Sequence, residues 1–485
     1  MEELISRLDA HAHFLHTPVR PLIRPVIDVP METPVLRVIG LMKNNHSGEI
    51  LVSNENGAKV GIITSRDLID RILLTDRNFQ KPAWEVMTAP LISADPDTPI
   101  QMTIARMEEA GISTLAVKNA AGEILGLVHK NDIFHSLAHS YAYFETRIDN
   151  AQTAGELSYL YGEFRKYVSV MVNQNLQPVM IGESLASISD RITRRLITLA
   201  FDEIGDPPAA FAFIAMGSEG RMEQTLATDQ DNAIIFEDVD GTEIEKVQVW
   251  FNKLGEIVCN NLNVVGFAFC KGRVMAKNPQ WCKPLQTWKN YFSQWISNTE
   301  PKNLLDISIF FDLRTVYGSA LLTDELRQHI HRRSDGNGPF FYNLAENVLS
   351  FKPVIGITGN IHTERRADKD YFNLKNAVTP YIMFARIYSI FHKVNVTNTA
   401  ERFQALYELQ VIPRKTYEEI MFGYTFLMQL RYRRQVARQQ RAEEVNNTIA
   451  IQDLTEMEEG ILKKILGQSS ELQNKLNIDF KSAVL

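Results

Sequence analysis

The sequence predicts a multidomain protein of mixed α/β and α+β class, and three observations support this prediction. The first third of the chain contains an internal repeat of short strands and amphipathic helices. The middle contains apolar strands around a glycine-rich turn, which predicts a small mixed sheet. The last third places apolar residues at helical spacing and predicts a helical bundle. With 485 residues, the chain is long enough for three domains of roughly 150 residues each.

The internal repeat is visible in two segments of each copy. Residues 31–42 (METPVLRVIGLM) align with 96–107 (PDTPIQMTIARM), and residues 60–73 (VGIITSRDLIDRIL) align with 125–138 (LGLVHKNDIFHSLA). Each copy is predicted to form a short strand, an amphipathic helix, two further strands and a closing helix. One copy could not bury both faces of so small a sheet, so we expect the two copies to pack together.

This repeat resembles a tandem pair of cystathionine-β-synthase (CBS) domains. That family binds adenosine nucleotides and regulates attached enzymes, so the resemblance implies an adenine nucleotide as ligand. In the family, a GxxTxxD segment closes on the ribose and phosphate of the ligand. Because a histidine replaces the threonine in the second copy, the resemblance favours the first copy as the binding site. The matching residues are Gly61, Thr64 and Asp67 in the first copy, and Gly126, His129 and Asp132 in the second.

A structural or dimerising module without a ligand is the alternative interpretation of the repeat. Thr64 could cap the helix that follows it, and Asp67 could stabilise the first turn of that helix. The prediction that we carry forward is nucleotide binding at Gly61, Thr64, Asp67 and Asp132 in a protein that forms a homodimer.

The most informative stretch is 211–236, FAFIAMGSEGRMEQTLATDQDNAIIF. Its first apolar run predicts a buried strand, and the glycines that follow permit a tight turn. Asp229 and Asp231 stand at the start of a second apolar strand. Alternate strand residues point to the same face, so the two carboxylates are predicted to lie roughly 6–7 Å apart along the backbone. Such carboxylates repel each other unless a divalent cation binds beside them.

This arrangement suits nucleotidyl transfer. A nucleoside triphosphate is an anion whose charge must be neutralised while a hydroxyl attacks its α-phosphorus. Magnesium prefers oxygen ligands and is usually held by one or two carboxylates together with substrate phosphates. Gly217 and Ser218 are predicted to bind the phosphates, because glycine-rich turns present N–H groups to anions. Arg221 is a further candidate for phosphate binding, and a surface pair with Glu223 is the alternative.

The glycine-serine pair, a spacer of ten residues and the DQD triplet resemble the active-site signature of the DNA polymerase β-type nucleotidyltransferase superfamily. The stretch GSEGRMEQTLATDQDNA is similar to bacterial signal-transduction nucleotidyltransferases related to the uridylyltransferase that modifies the PII nitrogen regulator. The same family pattern continues in CKGRVMAKNPQW (Cys270–Trp281) and SIFFDLRTVYG (Ser308–Gly318). The resemblance covers roughly residues 150–320. It implies an NTP substrate, a Mg²⁺ or Mn²⁺ cofactor and an acceptor hydroxyl.

The resemblance also implies a third carboxylate, at Asp312, in the acidic position of the family's FFDLR segment. Asp312 follows the run ISIFF, which is typical of a strand. Asp306 is the competing candidate, because it lies on the same face if that strand is regular. We therefore predict Asp229, Asp231 and Asp312 as the catalytic and metal-binding residues.

Two helical regions flank this segment. Residues 139–205 show helical periodicity and end at the GDPPAA turn of Gly205–Ala210. Beyond Gly318 the chain is again predominantly helical, and it resembles the helical substrate-binding domain that follows the catalytic domain in the same family. One helix there is basic; such a run is usually a solvated face, and contact with phosphates or an acidic partner is the alternative. Its arginines are Arg431, Arg433, Arg434, Arg438 and Arg441.

The predicted domain boundaries follow these patterns. Residues 1–17 are predicted as an N-terminal helix, and its histidines are interpreted as surface side chains rather than as a metal site. These histidines are His11, His13 and His16. The other predicted segments are the CBS pair at 18–138, a helical connector at 139–205, the catalytic domain at 206–325 and the helical substrate-binding domain at 326–485.

Composition narrows the class of protein further. A formal net charge of −7 disfavours electrostatic binding to bulk nucleic acid or to anionic membranes. No apolar run approaches the length of a membrane span, and the N-terminus lacks the basic-then-apolar order of a signal peptide. Three cysteines without zinc-type spacing are predicted to be reduced. These observations predict a cytoplasmic protein.

Together the patterns predict a metal-dependent nucleotidyltransferase that moves an NMP from an NTP onto an acceptor hydroxyl. The acceptor is predicted to belong to a regulatory protein, and the CBS pair is predicted to regulate transfer. The chain shows no histidine-aspartate phosphohydrolase motif that would remove the group again. A catalytically idle nucleotide sensor or scaffold is the alternative from a different class of function.

Overall fold

The computed structural model describes residues 18–45, 47–75, 77–173, 175–297, 308–350, 361–366 and 368–481. The chain divides into two compact units, Met1–Tyr143 and Phe144–Leu485. The predicted N-terminal helix with its three histidines, and the competing carboxylate Asp306, lie outside the described residues.

The first unit contains two three-stranded sheets with the same topology. In each, the central strand is parallel to the first strand and antiparallel to the third. The strands of the first sheet are β1 (Asp28–Pro30), β2 (Glu49–Ser53) and β3 (Lys59–Thr64), and those of the second are β4 (Ser93–Ala94), β5 (Thr114–Lys118) and β6 (Ile124–His129). The helices are α1 (Val35–Asn44), α2 (Ser65–Leu68), α3 (Ala83–Val86), α4 (Ile100–Glu109) and α5 (Lys130–Asn150), of which α5 extends beyond Tyr143, the last residue of this unit.

The two copies of the repeat pack together, as the sequence predicts. Leu51 of the first copy shares a buried cluster with Ala116 and Leu127 of the second. The segment that precedes each sheet pairs with the last strand of the other sheet: Arg24 bridges to Leu127, and Thr88 bridges to Ile62. Each copy therefore completes the other, which explains why one copy alone would leave a sheet face uncovered.

The second unit is built on a four-stranded mixed sheet. Its strands are β7 (Phe211–Ala215), β8 (Asn232–Phe236), β9 (Cys282–Pro284) and β10 (Arg314–Gly318). They lie in the order β10-β7-β8-β9, with β7 antiparallel to both β10 and β8, and β9 parallel to β8. The helices before and within this region are α6 (Ala154–Asn173), α7 (Pro178–Ile204), α8 (Gly217–Gly220), α9 (Ile244–Val265), α10 (Leu285–Ser297) and α11 (Ala320–Ser334). Helix α9 packs against α6 and α7.

The remainder of the second unit is mainly helical. Its helices are α12 (Gly338–Ser350), α13 (Leu374–Phe391), α14 (Thr399–Glu408), α15 (Arg414–Gln440) and α16 (Glu456–Lys481). A small antiparallel sheet contains β11 (Glu364–Arg366), β12 (Lys369–Asn373) and β13 (Thr448–Ala450). Helix α13 packs against α14, α15 and α16 and forms the centre of the bundle.

One predicted strand is a helical turn in the structure. The run before Asp312 forms a 3₁₀ turn at Ser308–Asp312, and strand β10 begins only at Arg314. The apolar residues of the turn, Phe310 and Phe311, are buried among aromatic rings. Packing against those rings outweighs the strand preference of isoleucine and phenylalanine, because β propensity depends strongly on context.

Candidate active site

The predicted site residues meet at one edge of the four-stranded sheet. Ala215 at the end of β7 lies opposite Asn232 at the start of β8 and opposite Arg314 at the start of β10. Because β8 and β10 are both antiparallel to β7, their first residues lie beside the last residue of β7. The turn that follows β7, the Asp229–Asp231 segment and Asp312 are therefore neighbours along this edge.

Two glycines of the turn leave room for the Asp231 carboxylate and for the backbone of Asp312. Gly217 has φ of +56°, and a Cβ atom there would lie 2.7 Å from Oδ2 of Asp231. A Cβ atom on Gly220 would lie 2.0 Å from the carbonyl oxygen of Asp312. The Met216 N–H donates to the Asp231 carbonyl at 2.8 Å and fixes the turn beside the second strand. Both glycines are needed because any larger residue would displace an aspartate.

Asp229 and Asp231 form the least compensated pair of charges in the site. Burial, followed by repulsion from Asp229, raises the pKa of Asp231 to about 6. The Cys270 thiol donates to the Asp231 carboxylate, and the positive charge of Lys375 attracts it. Within the described part of the chain, neither aspartate forms an ion pair. Two adjacent carboxylates in this state fit a hard divalent cation, which would relieve their repulsion.

Glu219 is a residue of the turn whose role sequence reasoning missed. Its carboxylate accepts from the backbone N–H of Asp231 and, at 2.6 Å, from Nε2 of Gln224. Burial, followed by the charge of Asp231, raises its pKa well above the usual range. Glu219 therefore ties the turn to the segment that carries Asp231. Its position inside the GSEGR stretch was the available signal.

Asp312 has a different environment from the one predicted. Its Oδ1 accepts from Arg386 Nε at 3.0 Å and from Arg402 Nη1 at 2.7 Å. Its Oδ2 accepts from Arg221 Nη1 at 2.6 Å and from Arg386 Nη2. These four bonds use all four lone-pair directions of the carboxylate. Burial would raise the pKa of Asp312, but the charges of Arg386, Arg402 and Arg221 hold it well below the usual range.

The prediction of Asp312 as a third metal ligand therefore needs correction. A cation could reach its oxygens only if an arginine left, and three guanidinium groups around it repel a second cation. Across the described residues, no group of three or more His, Cys, Asp or Glu side chains is arranged to hold a metal ion. In this structure Asp312 is the centre of a buried ionic cluster that joins the sheet to the helical bundle.

The prediction that Arg221 binds phosphate is also corrected, because its guanidinium is already paired within the protein. Its guanidinium donates to Glu223 at 2.8 Å and to Asp312 at 2.6 Å, and only 6% of the residue is exposed. Glu223 also accepts from the backbone N–H of Thr399 in the helical bundle. The pair of Arg221 and Glu223 is buried, so it is neither the surface pair nor the phosphate contact considered from sequence. It anchors the turn that follows β7.

The arginines of helix α15 also bind within the protein. Arg431 is buried and donates to Asn447 Oδ1 at 2.6 Å, and Arg433 donates to Asn175 Oδ1 at 2.8 Å. Arg434 donates to the carbonyl of Asp453. These contacts fasten the helix to its surroundings, while Arg433 and Arg441 stay exposed, so the interpretation of this run as a solvated face holds for part of it.

The two CBS carboxylates differ in their hydrogen bonds. In the first copy, Asp67 accepts from the backbone and hydroxyl of Thr64, from the Thr88 hydroxyl at 2.9 Å, and pairs with Arg71 at 3.2 Å. In the second copy, Asp132 is 7% exposed and pairs with Arg24 through Oδ1. Its buried Oδ2 has no hydrogen-bond partner among the described residues. The second carboxylate is therefore the one with a free acceptor.

Known families match three parts of the chain. "Putative nucleotidyltransferase DUF294" matches residues 162–302, "Putative nucleotidyltransferase substrate binding domain" matches 338–480, and the CBS domain matches 19–74 and 83–139. The class that these domains define is a nucleotidyltransferase-family protein with a pair of CBS domains. The chain belongs to the CBS-domain-containing members of the DUF294 nucleotidyltransferase family.

Individual relatives cover less of the chain. An uncharacterized protein of Methanopyrus kandleri is 29% identical over 105 residues, which are 21% of this chain and 53% of that protein. A homoserine O-acetyltransferase of Methanococcoides burtonii is 35% identical over 82 residues, which are 17% of this chain and 16% of that protein. The solved CBS protein of Pyrobaculum aerophilum, complexed with AMP, is 19% identical and covers 25% of this chain and 98% of its own, with a TM-score of 0.23.

The chain thus spans about half of the first relative and a small part of the second. Within the described residues, no helix is both long enough and apolar enough to span a bilayer.

Proposed function

We propose that this protein transfers a nucleoside monophosphate from an NTP to an acceptor hydroxyl at the sheet edge that carries Asp229 and Asp231. The observation that supports this most is that the two carboxylates beside the glycine-serine turn form no ion pair among the described residues. The pKa of Asp231 is raised to about 6 by burial and by Asp229. Repelling carboxylates cost stability unless they bind a cation. Their retention at this place therefore favours catalysis.

Each side chain has a separate task in this reaction. Asp229 and Asp231 would hold Mg²⁺ or Mn²⁺, which supplies charge neutralisation of the triphosphate when bound. The backbone N–H groups of Gly217 and Ser218 bind phosphate oxygens. Lys375, at the start of α13, adds a positive charge that attracts the Asp231 carboxylate. Sequence reasoning did not select Lys375, because it lies far along the chain from the motif.

The proposed transfer balances without any further reactant. The acceptor oxygen forms a bond to the α-phosphorus, the bond from that phosphorus to the bridging oxygen breaks, and pyrophosphate leaves. The hydroxyl proton passes to a carboxylate oxygen. Asp312 cannot accept it while four guanidinium N–H groups occupy its lone pairs. Asp229 and Asp231 are the predicted carboxylates that retain free lone pairs for this step.

The acceptor that we propose is a hydroxyl of a regulatory protein, such as a tyrosine. This part rests on the resemblance to PII uridylyltransferase, and one fold hosts many substrates. Incubation with labelled ATP, UTP, CTP or GTP, Mg²⁺ or Mn²⁺, and cell extract would identify nucleotide and acceptor together. Transfer of label onto one protein by the wild type, and none by a variant with both Asp229→Asn and Asp231→Asn, is the expected result.

The ligand that we propose for the CBS pair is an adenine nucleotide, bound chiefly through the second copy. Asp132 offers a buried oxygen that a ribose hydroxyl could satisfy, and an unsatisfied buried acceptor costs roughly 1–3 kcal/mol. Asp67 already accepts from Thr64 and Thr88. This reverses the preference for the first copy that the threonine pattern gave.

A catalytically idle nucleotide sensor is the second candidate, and Asp312 is the observation that favours it. With its lone pairs occupied by arginines, the site offers two carboxylates where the superfamily signature implies three. An idle sensor would bind Mg-NTP at the sheet edge without releasing pyrophosphate. Measuring pyrophosphate release and nucleotide binding on the same sample separates the two functions.

A further inference from the structure

The loop between the turn and Asp229 has no regular structure of its own. We call residues 221–228 the catalytic loop, because it joins the phosphate-binding turn to the carboxylate segment. It contains no helix or strand, so its backbone groups need partners elsewhere. The residues at its centre, Gln224 and Thr225, are almost fully buried.

The helical bundle supplies partners along this loop and at its start. Thr397 donates to the Gly220 carbonyl at 2.7 Å, and Asn398 donates to the Arg221 carbonyl at 2.9 Å. Further along, the Tyr432 hydroxyl donates to the Gln224 carbonyl at 2.7 Å. These bonds come from the connection between α13 and α14 and from helix α15, so two separate parts of the bundle hold the loop.

Gln435 makes the most extensive contact with the loop. Its Oε1 accepts from the Leu226 N–H at 2.9 Å, and its Nε2 donates to the Thr225 hydroxyl at 3.1 Å. Nε2 also donates to Asn447 Oδ1 at 2.9 Å. The side chain is fully buried, so water cannot replace these bonds if they are lost.

The same network reaches the start of the helix that carries Lys375, whose positive charge attracts the Asp231 carboxylate. The Asn447 carbonyl accepts from the Leu374 N–H at 2.9 Å, and the next residue is Lys375. Asn447 thus joins Gln435 to the start of α13. The buried amide of Gln435 therefore connects the catalytic loop, through Asn447, to the start of the helix that carries Lys375.

We infer that Gln435 is a positioning residue, through which the helical bundle sets the catalytic loop and Lys375 relative to Asp229 and Asp231. The inference rests on the proposed nucleotidyl transfer and deepens it. It means that the sheet region alone would not be a competent enzyme, because the loop that carries the metal-binding segment is held by side chains of the bundle. Misplacing reacting groups by about 1 Å can cost roughly 100-fold in rate.

The experiment uses the full chain with two variants and two matched controls. Gln435→Met keeps length and volume but removes all three bonds, and Tyr432→Phe removes only the bond to Gln224. The controls are Gln473→Met and Tyr381→Phe, which alter buried residues of the same types that bond within the bundle. The measurements are kcat and KM for transfer, Mn²⁺ affinity, and amide hydrogen exchange of Leu226 relative to Ile234 in β8.

The expected result is a loss in kcat, with KM much less affected. Gln435→Met should lower kcat on the order of 100-fold and Tyr432→Phe about fivefold, whereas each control should change it less than about twofold. Leu226 exchange should accelerate about tenfold or more in Gln435→Met while Ile234 stays protected. If Gln435→Met does not fold, the comparison of Tyr432→Phe with Tyr381→Phe carries the test.

A merely structural role would give a different pattern. Lower thermal stability with wild-type kcat and unchanged relative exchange of Leu226 would overturn the inference. If the wild-type protein transfers no nucleotide, the proposed function is wrong, and the exchange and Mn²⁺ measurements then decide the inference alone. Unchanged Leu226 protection and unchanged Mn²⁺ affinity in Gln435→Met would overturn it in that case too.

Discussion

Carboxylates at the same sheet edge have opposite electrostatic surroundings. Asp229 and Asp231 repel each other, and burial with this repulsion raises the pKa of Asp231 to about 6. Asp312 is surrounded by Arg386, Arg402 and Arg221, which lower its pKa despite complete burial. Among the residues that the structure describes, the first two form no ion pair, whereas Asp312 pairs with three arginines.

This difference assigns separate roles to residues that one sequence signature groups together. A carboxylate with free lone pairs can bind a cation or a proton, whereas a carboxylate saturated by guanidinium groups can only hold its partners in place. Asp312 holds Arg386 and Arg402 of the helical bundle against Arg221 of the turn. We therefore call Asp229 and Asp231 the proposed reactive pair, and Asp312 the anchor.

The largest expected effect is on the reactive pair. Asp229→Asn together with Asp231→Asn keeps the shape of the site but removes the charge that would bind the metal, so transfer should fall by at least about 10³-fold. Thermal stability should stay equal or rise, because two repelling charges are removed. Transfer at the wild-type rate by a folded double variant, in Mg²⁺, would show that these aspartates are not the metal ligands.

Removing the charge of the anchor, Asp312, should instead lower the stability of the protein. Asp312→Asn leaves the buried Arg386 and Arg402 without their counter-charge and Arg221 with Glu223 alone, so the free energy of unfolding should fall by about 3–5 kcal/mol. Denaturant unfolding measures this loss. The matched control is Asp324→Asn, which removes a half-exposed carboxylate paired with Arg327 and should cost at most about 1 kcal/mol.

Two outcomes of this comparison would show that the assignment is wrong. One is an Asp312→Asn variant with wild-type stability and a loss of Mg²⁺ binding, which would restore Asp312 as the third metal ligand predicted from sequence. The other is equal destabilisation by Asp312→Asn and Asp324→Asn, which would show that the arginine cluster is not a stabilising element.

The sequence indicated where the site lies but not how its charges are paired. The glycine-serine turn and the DQD triplet are local patterns, so they located Asp229 and Asp231 within a few residues of the turn. The partners of Asp312 could not be read in this way, because Arg386 and Arg402 lie 74 and 90 residues away in the chain. Only tertiary packing brings the bundle to the sheet edge.

In the fold, too, local patterns were predictable and distant contacts were not. The repeat predicted two copies with the same order of elements, and the structure confirms this, because the hydrophobic periodicity within each copy determines its own strands and helices. The run before Asp312 was wrongly predicted as a strand, since its surroundings are aromatic side chains from another helix. The domain boundaries stay a prediction.

The pH dependence of metal binding should also distinguish Asp231 from Asp312. The pKa of Asp231 in the folded protein is raised to about 6, so folding favours the protonated side chain. In the metal-free protein the resulting stabilisation is complete below about pH 4 and is lost as the pH rises through about 6. A cation needs the deprotonated form, so the Mg²⁺-induced rise in Tm should grow between about pH 5 and about pH 7.5.

The carboxylates should differ in this measurement as well. Asp231→Asn should remove the pH-dependent part of the Mg²⁺ effect. The lowered pKa of Asp312 places its titration below this pH window, so its contribution to stability should be present throughout and be lost only in stronger acid. A Mg²⁺ effect on Tm that is independent of pH would contradict the raised pKa of Asp231.

The smallest expected effect applies the same comparison to the CBS pair, where Asp132 has the free oxygen and Asp67 does not. Asp132→Asn should weaken AMP, ADP or ATP binding about tenfold, whereas Asp67→Asn should weaken it less than about twofold, because a saturated carboxylate has no acceptor to offer the ribose. Calorimetry measures this binding, on a full chain in which Asp229→Asn and Asp231→Asn reduce nucleotide binding at the proposed catalytic site.

The threonine pattern alone predicts the opposite ranking of the two CBS variants. A larger effect of Asp67→Asn than of Asp132→Asn would therefore favour the sequence pattern over the argument from free lone pairs. No heat with any adenine nucleotide at millimolar concentration would leave the pair as a structural or dimerising module.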